Sequence, residues 1–164
     1  MRVEGFVPSV AARVAALREL VGKYGNVSTL DGAASAEFWS AVRDVDGIAS
    51  GDGPLWRLSV TPSCGAEIVA AISASVPGKA LYDWGGGLVW YRVDAADAGA
   101  AAVRGALTAN GGGHATLVRA PEEVRSTVDV FEPQPGPLAA LSRRVNESFD
   151  PRHILNPGRM YSGV

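Results

Sequence analysis

The chain has 164 residues, of which 47% are hydrophobic and 20% are charged, and its formal net charge is −2. This length and composition support one globular domain with its own core and exclude a disordered chain. The 15 basic and 17 acidic side chains are interspersed, without a basic stripe interleaved with aromatic residues, so a nucleic-acid partner is not indicated.

The N-terminal part predicts one strand and two helices. Residues 3–7 are expected to form the strand, and Ser9 is expected to be the N-cap of the first helix, which ends at Gly25. A short extended piece is expected at residues 27–30. A second helix from about Ser35 is expected to bury its large apolar residues, Phe38, Trp39, Val42 and Val45.

The middle of the chain predicts strands and helices in alternation. Residues 48–54 are rich in Gly and Asp and predict a surface loop. Strands are expected at 55–61, 80–84, 88–93 and 114–118, the second and third forming a hairpin around a glycine triplet. Helices are expected after Pro62 and after Asp97.

The C-terminal part predicts two helices and a linker. Pro121 is expected to begin a short helix, and residues 131–136 are expected to link it to the last one. One face of that last helix carries Leu138, Leu141, Val145 and Phe149. Because a tight hairpin requires antiparallel neighbours, we predict an α+β fold, a ferredoxin-like antiparallel sheet with helices packed on one face, plus a C-terminal helix and tail.

Two glycine triplets, at residues 85–87 and 111–113, resemble phosphate-binding loops only superficially. Such a loop leads from a strand into a helix, so that the N-terminus of the helix meets the anion. Both triplets are followed by predicted strands, which favours turn glycines.

Strand alternation predicts a polar face on the sheet. If Trp56, Leu58 and Val60 pack against the helices, Arg57 points to the opposite side. The same argument places on that side Arg57, Trp90, Arg92, His114 and Thr116, with Asp83 at its edge. Two arginines beside an aromatic residue suit a small carboxylate, because a guanidinium pairs with it bidentately. The alternative is an exposed face that carries ordinary polar side chains.

The candidates for chemistry are few. His114 is a candidate general base, because histidine is the side chain that ordinarily changes charge near neutral pH, whereas no Ser or Cys lies in a nucleophile motif. His153 is expected at a surface or interface. Cys64, as the single cysteine, forms no internal disulfide and is expected to be an inert thiol in a reducing cytoplasm. No zinc spacing, signal peptide or membrane span is found, so no metal and no direct membrane span are predicted.

The last helix ends at Asp150-Pro151, and Asn156-Pro157-Gly158 then predicts a turn that presents Arg159. The turn either fastens the terminus to the domain or lets Asn156 and Arg159 reach a phosphate-bearing ligand. This F-D-P-x-x-x-x-N-P-G-R-M-Y ending resembles that of FAD-linked oxidases of the vanillyl-alcohol-oxidase type. Residues 2–6, L-W-R-L-S-V at 55–60 and Y-D-W-G-G-G-L-V-W at 82–90 are more specifically similar to the C-terminal half of glycolate oxidase E subunits.

The resemblance implies a cap domain over residues 1–164, with a C-terminal helix and flavin-facing tail at 137–164. In that family the open sheet face of the cap covers an FAD held by an N-terminal domain, which this sequence lacks. Asn156 and Arg159 would then bind the cofactor, while Arg57, Arg92, Trp90 and His114 would face the flavin or a small 2-hydroxyacid. The implied partners are the glycolate oxidase D (flavin) subunit and an iron–sulfur subunit, which act with the E subunit to oxidise glycolate to glyoxylate.

Two departures from the family pattern limit what the chain does alone. The glycine-rich pyrophosphate loop and the histidine motif of the catalytic subunit are both missing, so we expect neither FAD binding nor catalysis by this chain by itself. The expected location is the cytoplasm, or the inner-membrane periphery through partner subunits. The alternatives are a stand-alone ferredoxin-like module that binds a small carboxylate and a subunit-docking module without catalysis.

Overall fold

The protein is described here by a computed structural model that covers residues 1–95 and 97–161. The chain divides into two compact units, Met1–Ser40 and Ala41–Val164, and the sheet belongs to the second. Among the residues covered, no helix combines the length and the apolar character that crossing a membrane requires.

The first unit is helical. Helix α1 (Val7–Gly22) carries Pro8 in its first turn, and α2 (Gly32–Asp44) begins in this unit and ends in the next. The predicted strand at 3–7 is wrong, because Val7 is already helical and the N-cap is Phe6 instead of Ser9. The fixed φ of Pro8 suits the first helical turn, which places the helix start before the serine. Residues 27–30 form no strand, and Phe38 is 50% exposed although burial was expected.

The second unit contains a four-stranded sheet. Its elements follow the order β1 (Leu55–Val60), α4 (Gly65–Ser75), β2 (Gly78–Asp83), β3 (Leu88–Val93), α5 (Ala100–Ala109) and β4 (Gly113–Arg119), after a short helix α3 (Asp46–Ala49). The strands lie in the order β2-β3-β1-β4, and every neighbouring pair is antiparallel. This succession is the split β-α-β-β-α-β arrangement of ferredoxin-like sheets, so the predicted α+β antiparallel fold is confirmed.

The core lies between one face of this sheet and helices α4 and α5. The alternation predicted for the strands is confirmed. Val60 is partly buried against the core, and the other inward residues are completely buried: Trp56, Leu58, Val89, Tyr91, Val93, Ala115 and Leu117. The helices contribute Ile68, Ile72, Val103 and Leu107 to the same cluster. The Trp56 indole N–H donates to the Ala98 carbonyl at 2.8 Å, so the largest buried side chain is also satisfied in its polar group.

The segment at 48–54 is only partly the surface loop that its composition predicts. Ile48 ends up 4% exposed, because it lies in α3 and packs with Val45 and Leu55 in a second, smaller cluster. Pro54 is also fully buried. This cluster lies on the sheet face opposite the main core, so α3 covers one end of the face that carries the predicted polar residues.

Two further helices complete the second unit. They are α6 (Glu122–Arg125), predicted after Pro121, and α7 (Gly136–Phe149), which carries Pro137 in its first turn. Helix α7 has no buried residue, and its predicted apolar face is exposed: Leu138, Leu141, Val145 and Phe149.

Candidate functional site

The strand register places the predicted polar residues in three adjacent rows across the sheet. The middle row contains Leu81, Trp90, Arg57 and Thr116, one from each strand in spatial order. Directly opposed residues in antiparallel strands share a face. Arg57 therefore has Trp90 on one side and Thr116 on the other, and all three are partly exposed.

The second row places His114 near Arg57. It contains Asp83, Leu88, Ser59 and His114. Because Ser59 is two residues beyond Arg57 on β1, His114 is a diagonal neighbour of Arg57 on the same face. His114 is exposed, so its imidazole is open to solvent.

In the third row, the side chain of Arg92 makes contacts within the fold. Its guanidinium donates to the Ile48 carbonyl at 3.2 Å and lies 3.9 Å from an Asp94 carboxylate oxygen. Arg119, in the same row, donates to the next carbonyl of α3, that of Ala49. These two arginines hold the C-terminal end of α3, where free carbonyls favour a positive charge. Arg92 therefore contributes its charge to the face while its donors hold α3.

We expect Gly51→Ala to weaken this attachment. A Cβ at position 51 would lie 1.9 Å from Arg92 Nη1, so the guanidinium must move away from the Ile48 carbonyl. The expected loss in the free energy of unfolding is about 1 kcal/mol, measured by urea denaturation. Gly105→Ala is the matched control, because nothing lies within 4 Å of its Cβ position, and it should gain roughly 1 kcal/mol in helix propensity. Equal changes in the free energy of unfolding of Gly51→Ala and Gly105→Ala would contradict the packing of Arg92 on Gly51.

Trp84 is a site residue that the strand pattern missed. It follows β2 and opens a short 3₁₀ turn (Trp84–Gly86) at the tip of the hairpin, where a further strand residue was expected. The Arg57 guanidinium carbon lies 5.8 Å from the centre of its indole ring. A Trp directly before a glycine triplet is the sequence signal that could have identified Trp84 as a site residue.

The predicted turn in the tail is present. The Arg159 N–H donates to the Asn156 carbonyl at 3.3 Å, and Gly158 has a φ of +71°. Pro at the second position and a left-handed Gly at the third are the signature of a type II turn. Arg159 is exposed at its end.

Asn156 and Arg159 line an open groove beside α7. Its volume is about 1140 Å³, and its walls include Phe131, Leu141, Val145, Phe149 and Leu155. The aromatic ring of Tyr161 lies 6.1 Å from that of Phe131, which attaches the tail to the far wall. None of the four sheet-face candidates, Arg57, Trp90, Arg92 and His114, lines this groove. The structure thus gathers the predicted residues in two separate places.

Asp150 fixes the start of the tail, a role that the sequence predicted only as a helix stop. Its carboxylate accepts a hydrogen bond from the Leu155 N–H at 2.8 Å. Backbone N–H groups of Leu155 and Ile154, and more weakly that of Arg152, lower the pKa of Asp150 below its ordinary value of 3.8. A carboxylate that accepts backbone N–H groups favours its ionised form. The Ile154–Leu155 segment is therefore folded back over the end of α7.

We expect this contact to be lost in acid. Because the folded-state pKa is lowered, the stabilisation is fully present above pH 3.8 and disappears as the pH falls through the lower, folded-state value. The amide NMR shift of Leu155 should change in that range in the wild-type protein and remain constant in Asp150→Asn. Asp129→Asn should behave as wild type. A transition that persists in the Asp150 variant would contradict the assignment.

Arg104 on α5 holds the opposite wall of the groove. Its guanidinium donates to the carbonyls of Asp129 and Phe131 and lies 3.7 Å from a Glu132 carboxylate oxygen. Glu132 in turn accepts the Ala115 N–H at 3.1 Å, and the Leu117 N–H donates to the Val130 carbonyl at 2.8 Å. Residues 130–132 therefore satisfy N–H groups at the outer edge of β4 while Arg104 fixes Phe131.

Among the described residues, the glycine triplets do not form a loop of the kind that holds a flavin pyrophosphate. The two glycine triplets lead into β3 and β4, and the second of them includes the first residue of β4, so neither presents a helix N-terminus to a pyrophosphate. Arg159 at the turn has the planar donor group that suits phosphate. Among residues 1–95 and 97–161, no three His, Cys, Asp or Glu side chains converge on a metal site.

Comparison with known proteins shows a similarity to a glycolate oxidase subunit. The chain is 31% identical over 163 residues to glycolate oxidase subunit GlcE of Escherichia coli (strain K12), a match that takes in 99% of this chain and 38% of that protein. The resemblance carried by the motifs is thereby confirmed across the chain, which spans about two fifths of the relative's length. No family model and no solved structure matches the chain.

Proposed function

We propose that the chain is the cap of an FAD-dependent 2-hydroxyacid oxidoreductase of the glycolate oxidase type, which takes part in oxidising glycolate to glyoxylate. The observation that carries the proposal is the row of Trp90, Arg57 and Thr116 on the sheet face opposite the main core, in a chain similar over 99% of its length to a glycolate oxidase subunit. We propose residues 1–164 as one functional cap domain.

Arg57 is the proposed anchor for the substrate carboxylate, because it is the charged residue at the centre of the middle row. Trp90 packs beside the ligand, and Arg92 adds positive charge from the next row. His114, exposed and diagonal to Arg57, accepts the proton of the 2-hydroxyl group. The flavin is the oxidant that supplies the redox chemistry when bound, and this chain binds and orients the hydroxyacid.

The tail and α7 are the proposed contacts with the flavin-carrying polypeptide. Asn156 and Arg159 lie on the exposed turn and contact the cofactor, whereas the apolar face of α7 packs against that polypeptide. The flavin-facing segment proposed at 137–164 includes residues 162–164, which lie outside the described residues. A flavin D subunit and an iron–sulfur subunit are the proposed partners, in the cytoplasm or at the inner-membrane periphery.

A chimaera tests this function. The part of the Escherichia coli GlcE subunit that matches this chain is replaced by the chain, and the bleaching of flavin absorbance by glycolate is measured in the assembled oxidase. We expect bleaching to be retained, and to be lost in His114→Ala while the flavin content stays the same. Arg18→Ala, at an exposed position of α1, is the control for a general loss of charge. A chimaera that holds flavin but is not bleached by glycolate would contradict the proposal.

A second function, a subunit-docking module without catalysis, is favoured by one observation. The four apolar side chains on one face of α7 are exposed, and that of Phe149 is 83% exposed. Exposed apolar patches of this kind mark interaction sites. The two functions diverge in the chimaera, because a docking module would restore assembly in His114→Ala and in Arg57→Ala with bleaching unchanged.

A further inference from the structure

Trp84 has an unusual backbone conformation. Its φ is +50°, and Gly85 and Gly86 follow with φ values of +63° and +96°. The left-handed region is uncommon for a bulky side chain, for which it signals strain. Trp84 is also 66% exposed, so burial of its indole does not compensate for that strain.

The backbone around Trp84 is held in this conformation from both sides. Asp83 accepts the Trp84 N–H through its carboxylate at 2.7 Å, and the Trp84 carbonyl accepts the Gly87 N–H at 3.2 Å. Gly86 approaches the Pro62 carbonyl so closely that a Cβ would lie 2.6 Å from that oxygen. The hairpin tip is therefore fixed against the end of β1, and the direction of the Trp84 side chain is fixed with it.

The consequence is a flat aromatic wall beside Arg57. The guanidinium carbon lies 5.8 Å from the indole centre, within the range of a cation–π contact. Trp90 and Thr116 flank Arg57 along the row. The indole thus closes the side of the guanidinium that it faces, and a carboxylate must approach along the remaining edge, where bidentate pairing is possible.

We propose that Trp84 is a specificity-determining residue that limits the site at Arg57 to small 2-hydroxycarboxylates. This inference rests on the proposed function, because it assumes that Arg57 anchors the substrate carboxylate. The indole occupies the space into which a bulky substituent on C2 would extend, whereas the two-carbon glycolate leaves that space free. Strain stored at an exposed residue is explained by this role, since strained residues cluster where geometry serves binding.

The test compares two 2-hydroxyacids of different size. Glycolate and mandelate, which carries a phenyl ring on C2, are titrated separately into the flavin-loaded chimaera, and the concentration of each acid that gives half-maximal bleaching of the flavin is measured as its apparent affinity. Wild-type protein should prefer glycolate, and Trp84→Ala should reduce the ratio of the two affinities by about tenfold. Trp84→Phe keeps an aromatic wall and should retain the preference. Trp84→Ala should melt at the wild-type temperature or slightly above it, because the indole is exposed.

The outcomes separate this inference from the proposed function. If glycolate bleaches the wild-type chimaera and Trp84→Ala leaves the ratio of the two apparent affinities unchanged, the role of Trp84 is overturned while the proposed function stands. If the wild-type chimaera holds flavin but is bleached by neither acid, the proposed function falls and this inference falls with it. If the ratio of the two affinities changes equally in Trp84→Ala and Trp84→Phe, the role of Trp84 is also overturned, because the Phe side chain preserves an aromatic wall beside Arg57.

Discussion

Arg104→Met should lower the free energy of unfolding by about 3 kcal/mol, the largest stability effect that we expect from a single charged residue. The guanidinium donates to two backbone carbonyls, lies 3.7 Å from Glu132 and lies 5.4 Å from the centre of the Trp56 indole. Its side chain is 18% exposed and that of Glu132 is 24% exposed, so solvent screens the pair only in part. Methionine keeps the apolar stem and removes every one of these polar contacts.

Urea denaturation of Arg104→Met and of Arg143→Met measures the effect. Arg143 is exposed on α7, and its replacement should change the free energy of unfolding by less than about 0.5 kcal/mol. Arg104→Lys should recover only part of the loss, because an ammonium group at the place of Nη2 could reach the two carbonyls but would not also put a charged nitrogen beside Glu132, as Nε does, or a planar group against the Trp56 ring. Equal stabilities of the two methionine variants would show that residues 129–132 are held without Arg104.

Arg57→Ala should raise the glycolate concentration needed for half-maximal bleaching of the chimaera by about 10- to 100-fold. A hydrogen-bonded pair with a charged partner contributes about 1.5 to 3 kcal/mol, which corresponds to that range. The variant should fold normally, because Arg57 is partly exposed and, among the described residues, its guanidinium holds no other element of the fold by a hydrogen bond or an ion pair; its cation–π contact is to the exposed Trp84 ring. The glycolate concentration for half-maximal bleaching measures the loss of binding, and a thermal melt of the same samples measures any loss of stability.

Arg57→Lys provides the sharper control. Lysine preserves the charge but cannot pair with both carboxylate oxygens in a plane, so it should recover less than half of the loss in binding free energy. Wild-type behaviour in both Arg57 variants would remove Arg57 from the site. The proposed function would then have to rest on Arg92, whose donors already hold α3.

The fold was predictable where local periodicity decides the structure. The alternation in L-W-R-L-S-V assigns Trp56 and Leu58 to the core, because successive strand residues point to opposite faces. The hairpin followed from the glycine triplet between two strands. At the N-terminus the same logic failed, because a short apolar stretch before Pro8 fits a strand and a helix start equally well.

The sequence predicted which sheet face carries the residues of the proposed site, but it did not predict the contacts that their side chains make. Alternation placed Arg57, Trp90 and Arg92 on one side of the sheet, and the register agrees. That Arg92 binds the Ile48 carbonyl depends on residues 44 positions apart, which periodicity does not connect. The place of Trp84 over Arg57 likewise depends on a left-handed backbone beyond the end of the strand.

The last helix shows a different limit. Its apolar face was recognised correctly, and sequence alone implies that such a face is buried. The structure leaves Leu141 and Val145 about half exposed along the groove. Amphipathic periodicity indicates that the apolar face of a helix packs against another surface, but it does not indicate whether that surface belongs to the same polypeptide.

The central claim is that this chain covers a flavin site whose cofactor platform lies elsewhere, and the visible absorption spectrum of FAD during titration with the purified chain tests it most directly. We expect a colourless protein and a spectrum of FAD that remains that of the free cofactor at every protein concentration. A saturable shift of the flavin bands would contradict the account, because it would mean that the chain forms a cofactor site unaided.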